Sequence, residues 1–208
     1  IDAIASAKQP LLYIGGGIKN AKASSEVLEF VNKTKIPVVE TFMAKGVIPH
    51  GNPNLIAMLG MHGSYAANMA MSETDLIIAL GARFDDRVTG KLSEFAVNAK
   101  VIHVDIDPTS ISKLVAVDYP IVGDLKIVMD KFLKLSDKID PDNYQDWRDV
   151  VARYNKLHPL MYKDSDEILK PQWIIERVGA LLGDKANIST DVGQHQMWTA
   201  QFYPFSRS

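Results

Sequence analysis

The sequence lacks three features: cysteine, a long apolar run and an excess of charge of either sign. A chain without cysteine has no disulfide and no thiolate ligand for a metal, and we expect it in a reducing compartment, the cytoplasm. The 23 lysines and arginines are balanced by 25 aspartates and glutamates, so no basic surface points to nucleic acid. No apolar run approaches the length of a transmembrane helix, and no signal peptide opens the chain. We therefore expect neither a nucleic-acid partner nor a membrane partner.

The composition that remains is typical of a globular protein. Of the 208 residues, 47% are hydrophobic and 23% are charged, which suits one complete domain and part of another. The chain opens at Ile1 and closes with the letters FSRS, neither of which is typical of a natural terminus. We expect a fragment of a longer protein.

Short apolar runs alternate with helical patterns along residues 1–140. Strands are predicted at residues 11–14, 37–40, 76–80, 101–105 and 120–122. Helices are predicted at residues 64–71, 108–115 and 124–135, and between the first two strands, where Ala23, Val27, Phe30 and Val31 share one face. Strands that alternate with helices form right-handed crossovers, and continuously apolar strands indicate burial on both faces. We therefore predict a doubly wound α/β domain with a parallel sheet over residues 1–140.

A different pattern follows this domain. A helical linker is predicted at residues 141–170, because aromatic and aliphatic side chains recur there at helical spacing. These side chains are Tyr144, Trp147, Val151, Tyr154 and Leu157. We expect them to pack on the domain. A second α/β unit is predicted at residues 171–208, with a helix beginning near Pro171 and a strand within residues 186–193, as the truncated start of a further domain.

Nearly every unusual cluster of residues follows directly after a predicted strand. These clusters are Gly15-Gly16-Gly17, TFMAKG, GARFDDRVTG, DIDP and Gly123-Asp124. In an open parallel sheet, ligands bind outside the carboxyl ends of the strands. One edge of the sheet would then carry glycines, arginines and carboxylates together, which predicts a ligand site at that edge.

The individual motifs leave structural alternatives open. The segment GGGIKN offers glycines for a close approach to phosphate. However, Asn20 stands where the dinucleotide motif needs a glycine, so a tight strand-to-helix turn is equally consistent. Glu40 lies where a nicotinamide enzyme carries its ribose-binding acid. Asp107 before Pro108 is typical of a helix N-cap, which leaves Asp105 for a ligand.

The histidines show no spacing that indicates a metal site. His50, His103 and His158 are interpreted as structural, and a lone loop histidine such as His62 is more often structural than catalytic. The motifs of serine hydrolases, phosphate-binding loops and zinc proteases do not occur in the sequence. No metal ligand is therefore predicted within the chain.

Five stretches together resemble one family, the large catalytic subunit of acetohydroxyacid synthase, also called acetolactate synthase, a thiamine-diphosphate enzyme. They are GGG, LGMHGSYAANMAMSETDLIIALGARFDDRVTGKL, HVDIDPTSISK, VGD and TDVGQHQMWTAQFY, of which GARFDDRVTG and GQHQMW are the specific parts. The resemblance implies that residues 1–140 are a Rossmann-like central domain that binds FAD. Residues 171–208 would begin the domain that binds thiamine diphosphate.

The resemblance also implies roles for particular residues. Those expected beside FAD are Gly15, Gly16, Gly17, Thr41, Phe42, Met43, Leu59, Gly60, Met61, His62, Gly81, Ala82, Arg83, Asp85, Val88 and, on the adenosine side, Asp105, Ile106, Gly123 and Asp124. Those expected at the diphosphate of thiamine diphosphate are Val192, Gly193, Gln194 and His195. Arg87 is expected to receive the carboxylate of the second keto acid, which a guanidinium fork suits, and Met61 to line the substrate pocket. The structural alternative is that Arg87 pairs with Asp85 or Asp86 to hold the loop.

The activity that the resemblance implies is a carboligation. Pyruvate is decarboxylated and its two-carbon unit is joined to pyruvate or 2-ketobutyrate, in branched-chain amino-acid biosynthesis. The flavin is then largely structural. The parent enzyme is expected as a homodimer or tetramer with a regulatory small subunit. The catalytic glutamate and the Mg²⁺ ligands lie outside the matching stretches, so the fragment itself is expected to be inactive.

Three other functions stay open. A related carboligase or decarboxylase, such as glyoxylate carboligase, would share the fold, although the RFDDR loop favours the synthase. A non-catalytic flavin- or nucleotide-binding module for electron transfer would share the glycines, but the start of a second α/β unit does not favour it. A structural interaction domain would leave the charges at the strand ends unexplained.

Overall fold

The computed structural model describes residues 1–207 and has a six-stranded sheet at its centre. The strands are β1 (Pro10–Ile14), β2 (Val38–Glu40), β3 (Leu55–Met58), β4 (Leu76–Leu80), β5 (Lys100–Asp105) and β6 (Tyr119–Val122). All neighbouring strands run parallel, in the order β3-β2-β1-β4-β5-β6. This is the strand order of the Rossmann fold, whose ligand crevice opens at the switch point between β1 and β4.

Helices cover both faces of the sheet, as a doubly wound fold requires. They are α1 (Asp2–Ser6), α2 (Gly17–Asn20), α3 (Ser24–Thr34), α4 (Tyr65–Glu73), α5 (Asp86–Thr89), α6 (Leu125–Leu135), α7 (Gln145–Leu157), α8 (Pro171–Leu182) and α9 (Gln194–Phe202). Helices α3 and α6 contribute to the core on one face, and α4 and α7 to the core on the other. The predicted fold class is therefore confirmed. Within residues 1–207, no helix is long and apolar enough to cross a membrane.

The hydrophobic pattern explains where these elements form. Every residue of the central strands β1 and β4 is buried, because helices cover both of their faces. Helix α3 buries Val27, Phe30 and Val31 on the predicted face. Asp124 is the N-cap of helix α6, and its carboxylate accepts hydrogen bonds from the N–H groups of the first helical turn.

Helix α7 packs on the sheet as predicted. The indole N–H of Trp147 donates to the carbonyl oxygen of Pro10 at 3.0 Å, and Trp147 and Val151 join the core beside α4. The hydroxyl of Tyr144 donates to the carbonyl oxygen of Ile4 at 2.7 Å. Leu157, at the end of the predicted stripe, is exposed instead. The domain boundaries near residues 140 and 170 stay predictions.

Strand β3 is absent from the sequence-based prediction. It lies at the edge of the sheet and pairs with β2 alone, with a register irregularity between Val38 and Val39. Its residues Leu55, Ile56 and Ala57 are only half-buried. A short edge strand lacks the continuous burial that makes central strands recognisable in sequence.

Two other predictions are wrong. The helix expected at residues 108–115 is a single 3₁₀ turn, Pro108–Ser110, for which Asp107 is the expected N-cap. The backbone at Ser112 has a φ of 55°, in the left-handed region, which interrupts any helix. The strand expected within residues 186–193 does not form, because no strand in the described part of the chain lies beside it to complete its hydrogen bonds.

Candidate functional site

A cleft of about 550 Å³ opens at the carboxyl edge of the sheet, at the switch point between β1 and β4. The predicted residues that line it come from the ends of β1, β2, β4, β5 and β6. They are Gly15, Gly16, Gly17, Thr41, Met43, Gly81, Ala82, Arg83, Asp85, Asp105, Ile106, Gly123 and Asp124. Segments far apart in sequence therefore meet at one cleft, as the position of their motifs after the strands requires.

A smaller cavity of about 250 Å³ adjoins this cleft and shares Thr41, Met43 and Asp85 with it. It brings together the remaining predicted residues, apart from Gly60 and the thiamine segment. These are Phe42, Leu59, Met61, His62, Arg87 and Val88. Arg87 and Met61, expected at the substrate, thus lie in a different cavity from Arg83.

The triple glycine has a reason within the fold. A side chain at Gly15 would overlap the backbone of Gly81 and Ala82, and one at Gly17 would meet the Cα of Gly81 at 2.7 Å. The loop after β1 and the loop after β4 can therefore lie together only if these positions are glycine. Helix α2, which follows, is a single turn and not the longer helix that an anion site would use.

The chain after β4 alternates between the core and the cleft. Ala82 and Phe84 are buried, whereas Arg83 and Asp85 are exposed. Among the described residues, neither the Arg83 nor the Arg87 guanidinium makes an ion pair or a hydrogen bond, and the Asp85 carboxylate accepts from the backbone N–H of Arg87. The alternative in which Arg87 pairs with a neighbouring carboxylate is not observed.

The segment after β3 is held beside Arg87 by its backbone. Gly60 has a φ of 101°, and a Cβ there would lie 2.6 Å from the carbonyl oxygen of Arg87. The side-chain amide of Asn68, on α4, binds both backbone groups of Gly60: its oxygen accepts from the N–H at 3.0 Å and its nitrogen donates to the carbonyl at 3.1 Å. Gly60 therefore shapes the smaller cavity without lining it.

A ribose-binding acid would line the cleft, but Glu40 does not. Its buried carboxylate pairs with the Lys45 ammonium at 2.8 Å. Burial raises the pKa of Glu40, and the Lys45 charge opposes this shift. Burial also lowers the pKa of Lys19, which lines the cleft. The carboxylates on the cleft are instead those of Asp85, Asp105 and Asp124 with Asp107, which the sequence assigned to structure alone.

The segment expected at thiamine diphosphate lies at the beginning of α9. Gly193 is the N-cap of this helix, without a side-chain cap bond, and Gln194 and His195 form its first turn. Val192 is 84% exposed. None of the four lines the two cavities described above, but their neighbours Gln196 and Met197 line the smaller one.

One polar atom on the shared wall has no partner in the protein. Thr41 lines both cavities, and its hydroxyl oxygen is buried, yet no described group bonds to it. Buried hydroxyls are normally hydrogen-bonded, so this position fits a bound molecule with polar groups. Within residues 1–207, no group of three or more His, Asp or Glu side chains could hold a metal ion.

The sequence missed several residues of the site. In the cleft these are Lys19, Asn20, Ala21, Val104, Ser110 and Leu125; in the smaller cavity they are Met58, Gln196, Met197 and Ala200. Four of them, Val104, Leu125, Met58 and Gln196, directly precede or follow a predicted residue, so for these neighbourhood in sequence was the available signal. The contribution of Met197 and Ala200 had no such signal, because it depends on how α9 packs against β3.

Comparison with known proteins agrees with this architecture. Residues 1–132 match the family described as "Thiamine pyrophosphate enzyme, central domain". The chain is 47% identical over 199 residues to the acetolactate synthase large subunit of Cyanidium caldarium, a region covering 94% of this chain and 34% of that protein. It is 44% identical over 208 residues to the acetolactate synthase of Mycobacterium leprae, covering 98% and 33% respectively.

A further relative is the acetolactate synthase isozyme 3 large subunit of Escherichia coli, 40% identical over 211 residues that cover 100% of this chain and 37% of that protein. The chain thus spans about a third of the length of these curated relatives. The region that matches the family runs from the beginning of the chain into α6 and so contains the whole sheet and the edge with the cleft. The chain therefore belongs to the thiamine pyrophosphate enzyme family, and residues 1–132 correspond to the central domain of that family.

Proposed function

We propose that this chain supplies the FAD-binding domain of a thiamine-diphosphate-dependent acetolactate synthase large subunit. The observation that carries the proposal is that two adjoining cavities gather every residue expected beside FAD except Gly60. The names of the curated relatives support the same activity. The reaction is the decarboxylation of pyruvate and the transfer of its two-carbon unit to a second 2-keto acid.

The cleft and the smaller cavity together suit an extended dinucleotide. We assign the adenosine side to Asp105, Ile106, Gly123 and Asp124, which line only the cleft. The flavin side is assigned to the wall that the two cavities share, at Thr41, and to the adjoining part of the smaller cavity. The unpartnered Thr41 hydroxyl supports this assignment, because a polar cofactor would supply the hydrogen bond that the protein does not. In this proposal FAD is structural.

The smaller cavity is assigned to the substrate. The Arg87 guanidinium, free of ion pairs in the described structure, would bind the carboxylate of the acceptor keto acid in a bidentate manner. Met61, whose side chain is 63% exposed, would provide an apolar wall beside it. When bound, thiamine diphosphate supplies the electron sink for decarboxylation. Residues Val192, Gly193, Gln194 and His195 would contact its diphosphate.

Other parts of the enzyme are proposed to come from outside these residues. The Mg²⁺ ligands and the glutamate that activates thiamine are assigned to the rest of the longer protein, and residues 1–208 alone are proposed to be inactive. The complete protein would form a homodimer or tetramer, bind a regulatory small subunit and act in the cytoplasm. Two of the three relatives named above carry the description "large subunit", which supports the small-subunit proposal.

Replacement of Thr41 by valine tests the flavin site. Thr41→Val keeps the shape of the side chain and removes a hydroxyl that has no protein partner. We expect the free energy of unfolding of the complete apoprotein to change by less than about 0.5 kcal/mol, while the Kd for FAD, measured by quenching of flavin fluorescence, rises about fivefold.

Thr34→Val is the matched control. The Thr34 hydroxyl donates to the carbonyl oxygen of Phe30 at 2.8 Å, on α3 and away from the cleft. We expect this variant to lose about 1 kcal/mol of stability and to bind FAD normally. The proposal fails if the complete protein does not bind FAD, or if it forms no acetolactate from pyruvate with thiamine diphosphate and Mg²⁺.

A further inference from the structure

Two buried polar side chains flank strand β4 at the same level of the sheet. Tyr13 on β1 pairs in register with Ala79 on β4, and Ala79 pairs in register with His103 on β5. Residues in one register row point to the same face of a sheet. Tyr13 and His103 therefore stand on either side of the small Ala79, on the face whose core also contains Phe84.

Both side chains bind the chain as it leaves β4. The hydroxyl of Tyr13 donates to the carbonyl oxygen of Arg83 at 3.0 Å. The Nε2 of His103 lies 3.0 Å from the carbonyl oxygen of Ala82, and because a carbonyl only accepts, this nitrogen carries the proton. Two consecutive carbonyls of the loop are thus bound by side chains from the two strands that neighbour β4. Within residues 1–207, no backbone N–H group binds either of them.

The ring of Phe84 fills the space between the two donors. Its centroid lies 5.5 Å from that of Tyr13 and 5.4 Å from that of His103, with an edge-on arrangement toward His103. Phe84 is only 6% exposed. The absence of a large side chain at Ala79 leaves room for the ring above the sheet. Tyr13, Phe84 and His103 form what we call the β4 clamp.

The β4 clamp fixes which way the neighbouring side chains face. Phe84 is held in the core, and burial alternates along the chain there, so Arg83 and Asp85 on either side of it are exposed and both line the cleft. Buried carbonyls require a partner. If the loop turned Arg83 or Asp85 away from the cleft, the carbonyls of Ala82 and Arg83 would lose their hydrogen bonds to His103 and Tyr13.

We propose that Tyr13 and His103 are positioning residues of the FAD site, acting through the carbonyls of Arg83 and Ala82. This inference is based on the proposed function, since it assumes that Arg83 and Asp85 contact the flavin. The protonation states agree with it. Burial, followed by the Asp85 charge, raises the pKa of Tyr13, so its hydroxyl remains a donor. Burial lowers the pKa of His103, so its ring stays neutral.

The hydroxyl of Tyr13 can be removed without changing the ring. In the complete protein, Tyr13→Phe leaves the partly buried Arg83 carbonyl without its hydrogen-bond partner, and we expect the Kd for FAD to rise about tenfold. Amide exchange in the peptide covering residues 81–89 should also become faster in the apoprotein. The N–H groups of Gly81, Val88 and Thr89 are bonded at the two ends of this segment and report on it.

Tyr144→Phe is the matched control. Tyr144 is also a buried tyrosine whose hydroxyl donates to a backbone carbonyl, that of Ile4 at 2.7 Å, and it does not line the cleft. This variant should lower the melting temperature to a similar extent and leave both FAD affinity and exchange at residues 81–89 unchanged. Equal effects of the two variants on FAD affinity would overturn the proposal, because the loss would then be one of general stability.

His103 provides a second pair of variants. His103→Gln places an amide N–H where the imidazole Nε2–H was and should retain FAD affinity, whereas His103→Leu removes the donor and should weaken binding about tenfold. If Gln and Leu behave alike, His103 has no positioning role. Should the wild-type protein bind no FAD, the proposed function fails, and exchange at residues 81–89 still decides whether the β4 clamp holds the loop.

Discussion

The backbone N–H of Met61 donates a hydrogen bond to the carbonyl oxygen of Arg87, with a nitrogen–oxygen distance of 2.9 Å. This bond joins the segment after β3 to the helix α5 that follows the β4 loop. The two residues assigned to the substrate are thus held together through their backbones, and their side chains remain available to a ligand. A main-chain contact therefore joins the two segments that carry Met61 and Arg87 into the smaller cavity.

Replacement of Gly60 should separate these two segments. Gly60→Ala adds a Cβ 2.6 Å from the carbonyl oxygen of Arg87 at a φ of 101°, so we expect a loss of about 3 kcal/mol in the free energy of unfolding. Gly51→Ala is the control, since Gly51 has a φ of 87° in open space and should lose only about 1 kcal/mol. Urea unfolding measures both, and equal losses would contradict the prediction.

The amide of Asn68 is expected to be essential for the same segment. Asn68→Ala leaves the N–H and the carbonyl of Gly60 without their partner, which should cost about 2 kcal/mol of stability and speed amide exchange at residues 59–62. Asn32→Ala removes an exposed amide that is paired with Asn52 at the surface and should cost less than about 0.5 kcal/mol. Unchanged exchange at residues 59–62 would show that Asn68 does not hold the loop.

Arg83 and Arg87 are expected to have different functions. In the complete enzyme, Arg87→Lys keeps the charge but loses the bidentate fork, so carboligation should fall by about 2 kcal/mol in kcat/KM while FAD content stays constant. Arg83→Lys should do the reverse and lower FAD affinity first, because Arg83 lines the cleft and Arg87 the smaller cavity. Loss of FAD in proportion to activity in Arg87→Lys would assign that residue to the flavin or to the loop.

His103 should make stability dependent on pH. Burial holds its folded-state pKa below 6.5, against a weaker opposite effect of the Asp105 carboxylate, 3.9 Å from Nε2. Between that pKa and about 6.5 the unfolded chain binds the proton more readily. The free energy of unfolding should therefore decrease as the pH falls through this window. In His103→Gln this part of the decrease should disappear in urea unfolding at successive pH values; an unchanged slope would contradict the prediction.

The ligand edge was predictable to the extent that it follows from strand direction. Parallel strands end at the same edge, so the motifs after β1, β2, β4, β5 and β6 had to converge there. The division of this edge into two cavities was not predictable, because it depends on Thr41, Met43 and Asp85 forming a shared wall. That wall forms only where the loops after β2 and β4 meet, and no local pattern in the sequence predicts this contact.

The short elements were the least predictable ones. Residues 108–115 contain enough apolar side chains for a helix, but most of the segment is exposed and only Val115 packs against the core. Residues 186–193 have the composition of a strand without a neighbouring strand. Propensity alone decides neither case, because helices and strands are stabilised mainly by the surfaces on which they pack.

The sequence by itself determined the α/β class, the parallel sheet, the edge at which the candidate site lies and the family. These follow from hydrophobic period, from the alternation of elements and from motifs that are local in the chain. Tertiary structure decided that Gly15 and Gly17 are needed for contact with Gly81, and that Tyr13 and His103 bind the carbonyls beside Phe84. The physical reason is register: residues distant in sequence become neighbours only when the strands pair.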